Sequence, residues 1–190
     1  MPETGSNKDD LRSAAKAARR AIEPKLRAEY NTAICQSIAG LPAVKNARVV
    51  MSYAALPTEL DLAALHKLLA GRGIKLCWPV CHTPGQMRAY SPLAGDSWAR
   101  DNCGILAPNP KCSELVAPED IDVVLVPCVA FDADKNRLGW GAGYYDRYLP
   151  QCQRAVKIAA AYDVQRVDSI PTDEFDVRMD AVVTERKIYL

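Results

Sequence analysis

Apolar runs alternate with amphipathic stretches along this chain, and that alternation predicts an α/β fold. Residues 8–22 and 25–39 read as helices, with Pro24 at the break between them. Arg48–Tyr53 (RVVMSY) predicts a strand, and Thr58–Ala70 a helix. Thr58 with Asp61 three residues on resembles a capping box, and Gly71 and Gly73 end that helix. Lys75–Val80 reads as a second strand and Met87–Tyr90 as a short third. Residues 91–118, rich in Pro, Gly and Asn, read as an ordered loop layer. Ile121–Phe131 (IDVVLVPCVAF) has the make-up of a buried strand, Tyr144–Cys152 reads as a short helix, and Lys157–Tyr162 and Ala181–Thr184 are the last strands. Apolar strands separated by helices predict a three-layer α/β domain, with a mainly parallel sheet and helices on both faces. Ligands in such folds bind outside the carboxyl ends of the strands. Glu59 and the glycine-rich stretch after Phe131 each follow a strand.

The 190 residues fit one domain, 1–190, without repeats or long linkers. A net charge of +1 gives no global field towards nucleic acid or membrane, and no apolar run approaches the ~18 residues of a membrane span. The polar opening, MPETGSNKDDLRSAAK, has no apolar signal core, so the expected compartment is the cytoplasm. Seven irregularly spaced cysteines read as reduced thiols. Cys77, Cys81 and His82 fall close together, but Cys77 lies in a strand-like run and no second ligand pair follows at zinc spacing. A buried structural thiol is the reading adopted there.

The densest chemistry is Arg137-Leu138-Gly139-Trp140-Gly141-Ala142-Gly143-Tyr144-Tyr145-Asp146-Arg147. It matches neither the P-loop nor the dinucleotide fingerprint. Yet a strand, a glycine-rich turn and a helix start make an anion-binding device, because glycine lets backbone N–H groups approach a phosphate. Arg137 and Arg147 flank it, and guanidinium forks suit phosphate oxygens. One of Tyr144 and Tyr145 can pack in the core while the other stacks on a flat ligand. Asp146 has two readings: a carboxylate favoured by a helix start, or a Mg2+ ligand beside substrate phosphates. Lys8, Arg12, Lys16 and Arg19 fall within about 80° of one helix face, either a solvated stripe or a phosphate-contacting one. Glu59 either complements a helix start or accepts paired N–H donors from a heterocycle. The acidic run Asp173, Glu174, Asp176, Asp180 offers a partner for Asp146. No Ser–His–Asp or Cys–His set is readable, which points to ATP as the activating agent.

The segment DVVLVPCVAFDADKNRLGWGAGYYDRYL closely resembles the signature of the 5-formyltetrahydrofolate cyclo-ligase family. KDDLR, SYAALPTELDL, GILAP, AYDVQRVDSIP and DEFDVRMDAVVTE fall in the family's order over nearly the whole chain. The resemblance implies a ligase that converts 5-formyltetrahydrofolate, free or polyglutamylated, to 5,10-methenyltetrahydrofolate with ATP and Mg2+. It implies Lys8, Arg12 and Arg137–Tyr145 for ATP (Leu138, Gly139, Trp140, Gly141, Ala142, Gly143 and Tyr144 included). It implies Ala54, Glu59, Tyr144 and Tyr145 for the folate, and Asp146 and Asp176 for the metal. No nucleic-acid or membrane partner is expected. Leu62, Ala107, Phe175 and Cys128 depart from the family pattern and are where a shift of substrate would originate. A folate-binding protein without turnover, a nucleic-acid module using the basic stripe, and a kinase or ligase of another heterocycle are the competing readings.

Overall fold

The structure is a computed structural model that describes residues 7–93 and 98–190. In chain order its helices are α1 (Lys8–Arg20), α2 (Pro24–Gly40), α3 (Pro42–Lys45), α4 (Ala63–Gly71) and α5 (Tyr144–Tyr148). Its strands are β1 (Val49–Met51), β2 (Lys75–Thr83), β3 (Gln86–Pro92), β4 (Trp98–Arg100), β5 (Leu106–Pro108), β6 (Ser113–Val116), β7 (Val123–Pro127), β8 (Ala130–Phe131), β9 (Arg137–Leu138), β10 (Val156–Ala160), β11 (Ala181–Val183) and β12 (Ile188–Tyr189).

The main sheet has the order β12-β11-β10-β7-β1-β2-β3-β6. The five central strands from β11 to β2 are mutually parallel, and the remaining pairings are antiparallel. This is the expected mainly parallel α/β sheet. One face packs against α2 and α4 through Ile34, Ile38, Leu65 and Leu69, all fully buried against Val50, Val123, Leu125 and Ile158. The other face is covered by α5 and the turn after it, through Tyr148, Leu149 and Cys152 against Val124, Val126 and Ala159. Such burial is the main source of stability, at roughly 25 cal/mol per Å2 of apolar surface removed from water. The third packed unit is α1 on the β8–β9 hairpin, where Ala15 meets Ala130, Leu138 and Ile170.

Several boundaries move for local reasons. α1 begins where expected because the Asn7 side chain accepts the Asp9 N–H, and Pro24 opens α2. α4 starts at Ala63, not Thr58. Thr58 caps nothing; its hydroxyl accepts from Arg19, and Asp61 Oδ1 accepts the Ala63 N–H. Residues 54–62 form instead a loop pinned by buried Leu60 and Leu62. The run 121–131 is two strands: Pro127 ends β7, and β8 turns away to pair with β9. The hairpin turn is organised by buried Asp132, which accepts from the N–H groups of Asp134, Asn136 and Ile170 and from the Asn136 amide. Residues 91–118 are not a loop layer. They hold the end of β3, the β4–β5 ribbon and the edge strand β6. Tyr144–Cys152 is one short helix followed by a 3-10 turn at 149–151.

Strand order reverses at β1: the next strand, β2, lies on one side and β7 on the other. The segments leaving β1 and β7 therefore diverge, and a crevice opens between them.

Candidate functional site

A cavity of about 850 Å3 occupies that crevice. Every residue singled out from the sequence for ATP, folate or metal lies in its wall: Lys8, Arg12, Ala54, Glu59, Arg137 to Asp146, and Asp176. Of the residues that depart from the family pattern, only Phe175 reaches it, 73% exposed. Leu62 and Cys128 are buried in the two main cores, and Ala107 packs on Val80 and Tyr90.

The glycine loop forms one wall. Gly141 and Gly143 have φ of 102° and 66°, conformations that cost an L-residue with a side chain roughly 1–2 kcal/mol. Gly139 is required for space instead, since a Cβ there would lie 2.7 Å from Arg137 Nη1. Arginines take up the loop's carbonyl oxygens: Arg12 Nε donates to Gly139 O at 2.9 Å, and Arg147 Nη2 donates to Ala142 O. The backbone N–H groups of residues 139–143 donate to nothing among the described residues. A row of N–H donors in a glycine-rich turn is the arrangement that binds phosphate oxygens. α5, at five residues, is too short for its dipole to add much.

The flanking arginines do not present free forks, contrary to the sequence expectation. Arg137, its side chain 2% exposed, donates through Nη2 to Asp146 Oδ1 at 3.0 Å and through Nη1 to Pro127 O at 3.3 Å. Its Nε is buried without a partner, and its guanidinium stands 5.8 Å from the Tyr145 ring centre. Arg147 Nε donates to Gly85 O at 3.2 Å. Both arginines line the cavity, yet their donors brace the ends of the loop: Arg137 ties its start to Pro127 and Asp146, and Arg147 ties Ala142 to Gly85.

The carboxylates are divided between cations. Asp176 Oδ2 accepts from Lys8 Nζ at 2.6 Å, and Asp173 Oδ2 from the same nitrogen at 2.9 Å. The Asp176 bond, opposed by partial burial, holds the Lys8 ammonium above its ordinary pKa, and the Lys8 bond holds Asp173 below its own. The N-terminus of α1 is thereby tied to the 173–176 segment at the cavity rim.

The basic stripe faces inward. Lys16 Nζ lies 4.2 Å above the Trp140 ring, and Arg19 is 1% exposed, donating to Thr58 Oγ1 at 3.0 Å. Burial lowers the pKa of both. Trp140 Nε1 in turn donates to Glu59 Oε1 at 2.7 Å, while Glu59 Oε2 accepts the Leu56 N–H at 2.9 Å. Glu59 is buried, with 7% of its surface exposed. It therefore joins the β1 loop to the glycine loop.

Tyr145 is the core-facing tyrosine; burial raises its pKa and leaves its hydroxyl unpartnered. Tyr144 is the outer one, its hydroxyl accepting from Cys103 Sγ at 3.3 Å. Tyr53, Trp78, Met87, Ile105 and Leu106 complete an apolar wall that the sequence reading missed. The strand periodicity at 75–80 placed Trp78 in a sheet, but nothing along the chain ties residues 101–106 to a loop forty positions away.

The model of the 5-formyltetrahydrofolate cyclo-ligase family matches residues 4–185. The chain is 29% identical over 175 residues to the 5-formyltetrahydrofolate cyclo-ligase of Escherichia coli K12, covering 90% of this chain and 96% of that one. It is 29% identical to the enzyme of that name from Mycolicibacterium smegmatis, with 95% of each chain covered. Among solved structures, the 5,10-methenyltetrahydrofolate synthetase of Aquifex aeolicus superposes with a TM-score of 0.83 at 29% identity, covering 95% of this chain and 91% of that one. No helix among the described residues is long and apolar enough to cross a membrane.

Proposed function

This chain belongs to the 5-formyltetrahydrofolate cyclo-ligase family, and we propose that it uses ATP to close 5-formyltetrahydrofolate, free or polyglutamylated, to 5,10-methenyltetrahydrofolate in the cytoplasm. The observation that carries this reading is one cavity lined by two unlike kinds of group. It holds the unpartnered N–H groups of residues 139–143 and, joined to that loop through Trp140, the buried carboxylate of Glu59 together with apolar side chains. A volume of about 850 Å3 lies at the upper end of small-molecule sites.

In the proposed reaction the formyl oxygen takes the γ-phosphoryl group of ATP, and ADP leaves. N10 of the folate then attacks the activated formyl carbon and gives its proton to solvent, the C–O bond breaks, and inorganic phosphate departs with the oxygen. No protein nucleophile is needed, only positioning and neutralisation of charge. The N–H groups of residues 139–143 hold phosphate oxygens. Lys8 and Arg12, at the start of α1, contribute positive charge beside the same phosphates, Arg12 directly against the loop. Glu59 accepts N–H donors of the pterin ring, exchanging them for Trp140 Nε1, and Tyr144 and Ala54 line the same cavity, the tyrosine offering a flat face.

Asp146 and Asp176 fit Mg2+. Each has one oxygen engaged by a cation and a backbone N–H, and a second oxygen with no hydrogen bond among the described residues. Two carboxylates beside substrate phosphates are what a hard cation selects. Mg2+ bound there supplies charge neutralisation to the phosphates.

The test is absorbance of 5,10-methenyltetrahydrofolate with purified protein, 5-formyltetrahydrofolate, Mg2+ and ATP. An ATP-dependent rise is expected. A flat trace from folded protein that still binds ATP would move the substrate to another heterocycle.

A further inference from the structure

The cavity wall contains one group of soft ligands that the proposed reaction does not use. The Sγ atoms of Cys81 (near the end of β2) and Cys103 (in the β4–β5 turn) and a carboxylate oxygen of Asp101 all lie within 4.8 Å of one another. Among the described residues no other group of three His, Cys, Asp or Glu side chains converges in this way. All three line the cavity.

The backbone fixes this convergence. Cys81 N donates to Asp101 Oδ2 at 2.9 Å, and Asn102 N donates to Cys81 O at 3.3 Å. Cys103 N and Ile105 N donate to Asp101 Oδ1 at 2.9 and 3.0 Å. The turn is therefore stitched to β2 beside Cys81, and its tip holds Cys103 over the same spot. Asp101 Oδ2 accepts only one of these bonds and keeps a lone pair.

We propose that Cys81, Cys103 and Asp101 bind one soft divalent cation of the Zn2+ class at the cavity rim, with a fourth coordination position facing the cavity. Two thiols give their protons to the buffer, and two metal–sulfur bonds replace the two S–H bonds. Tetrahedral Zn–S bonds of about 2.3 Å place two sulfurs about 3.8 Å apart, so side-chain rotation of about 1 Å completes the set. Burial, followed by the nearby Cys103 and Asp101, pushes the Cys81 thiol well above its usual range, so metal-free thiolate is scarce and a cation must displace the proton. Softness separates this site from Asp146 and Asp176: thiolates select Zn2+, whereas oxygen donors select Mg2+.

The ion also has a consequence, which rests on the folate reading above. Cys103 is the hydrogen-bond partner of Tyr144, so coordination withdraws that sulfur and seats a charge against the outer tyrosine. The site is inhibitory towards the folate.

The test uses the full, reduced chain with excess Mg2+ and without ATP or folate, so its outcome is independent of the reaction. Titration with Co2+ is expected to give one equivalent with a thiolate-to-cobalt charge-transfer band, bleached by Zn2+. Cys103→Ser, at an exposed position, should weaken binding by roughly 100-fold or more, beyond what losing an outer-sphere partner costs. Cys112→Ser, exposed and outside the cavity wall, should titrate as the wild type does. Absence of the band, or equal affinity in Cys103→Ser, overturns the site. A folate KM unmoved by one bound Zn2+ overturns the inhibitory role.

Discussion

Replacing Arg137 with methionine separates two accounts of the glycine loop. If Arg137 forks a phosphate, its loss depresses turnover and leaves the fold alone. The geometry says otherwise: the side chain is 2% exposed, and its donors go to Asp146 Oδ1 at 3.0 Å and Pro127 O at 3.3 Å. Methionine keeps most of the buried volume and removes the charge. Asp146 then loses its cation but retains the Val177 N–H and partial access to water, its side chain being 23% exposed. Breaking a buried pair costs about 3–5 kcal/mol when the surviving charge is sealed in; with water at hand we expect about 2–4 kcal/mol. For a chain of this size that is a fall in Tm of about 5–15 °C. Asp146→Asn should cost more, about 3–5 kcal/mol, because the surviving charge is the sealed one. Urea unfolding followed by circular dichroism reads both, and unchanged m-values would show that native stability moved. Arg137→Met within about 0.5 kcal/mol of wild type, yet inactive, would refute the bracing account and return Arg137 to direct phosphate contact.

Other consequences are sharper for function. Glu59→Gln should raise the folate KM about tenfold or more while ATP affinity stays within twofold, since one carboxylate oxygen becomes an N–H donor facing N–H donors; isothermal titration with each ligand separates the two. Gly141→Ala forces a Cβ into φ of 102°, so ATP binding should weaken together with a stability loss of roughly 1–2 kcal/mol. Trp140→Phe removes the 2.7 Å bond to Glu59 and should tighten folate binding while slowing turnover; unchanged values for both would remove the link. The Lys8–Asp173 pair gives two pH limbs. The Lys8 pKa is raised, chiefly by its Asp176 bond, so its stabilisation is complete below 10.5 and lost as pH rises through the higher folded value. The Asp173 pKa is lowered, chiefly by its Lys8 bond, so its contribution is present above 3.8 and lost as pH falls through the lower folded value. Lys8→Met should abolish the alkaline limb and shrink the acid one, because the Phe175 N–H still donates to Asp173, in stability measured against pH.

The parts legible in the sequence are those whose signal is local. Val123–Val126 are fully buried on both faces and announce themselves by composition alone. The glycines announce a turn because no other residue adopts φ of 102° cheaply. The illegible parts depend on distant partners. β6 is an edge strand with Glu114 and Leu115 exposed, so no alternation marks it. The start of α4 is hidden because Thr58, a capping residue by type, serves Arg19 from α1 instead. Type and position mark Arg137 and Arg147 as phosphate forks, and only the folded loop shows carbonyls and Asp146 occupying them.

The bond between Trp140 and Glu59 shows why the site itself needed the fold. The two residues are 81 apart in sequence, yet they close the crevice where the segments leaving β1 and β7 diverge. A ligand N–H that takes the place of Trp140 Nε1 at Glu59 Oε1 displaces the indole, which belongs to the loop that carries the unpartnered N–H groups. Lys16 and Arg19 press on the same ring from α1, and Lys8 ties the start of α1 to Asp176. With the proposed substrates, a folate that displaces the indole is expected to shift the loop that meets ATP, and whatever factor ATP contributes to folate affinity, folate must return to ATP. Measuring both binding constants in wild type and Trp140→Phe tests this directly: coupling that survives loss of the indole N–H would have to run through α1 instead.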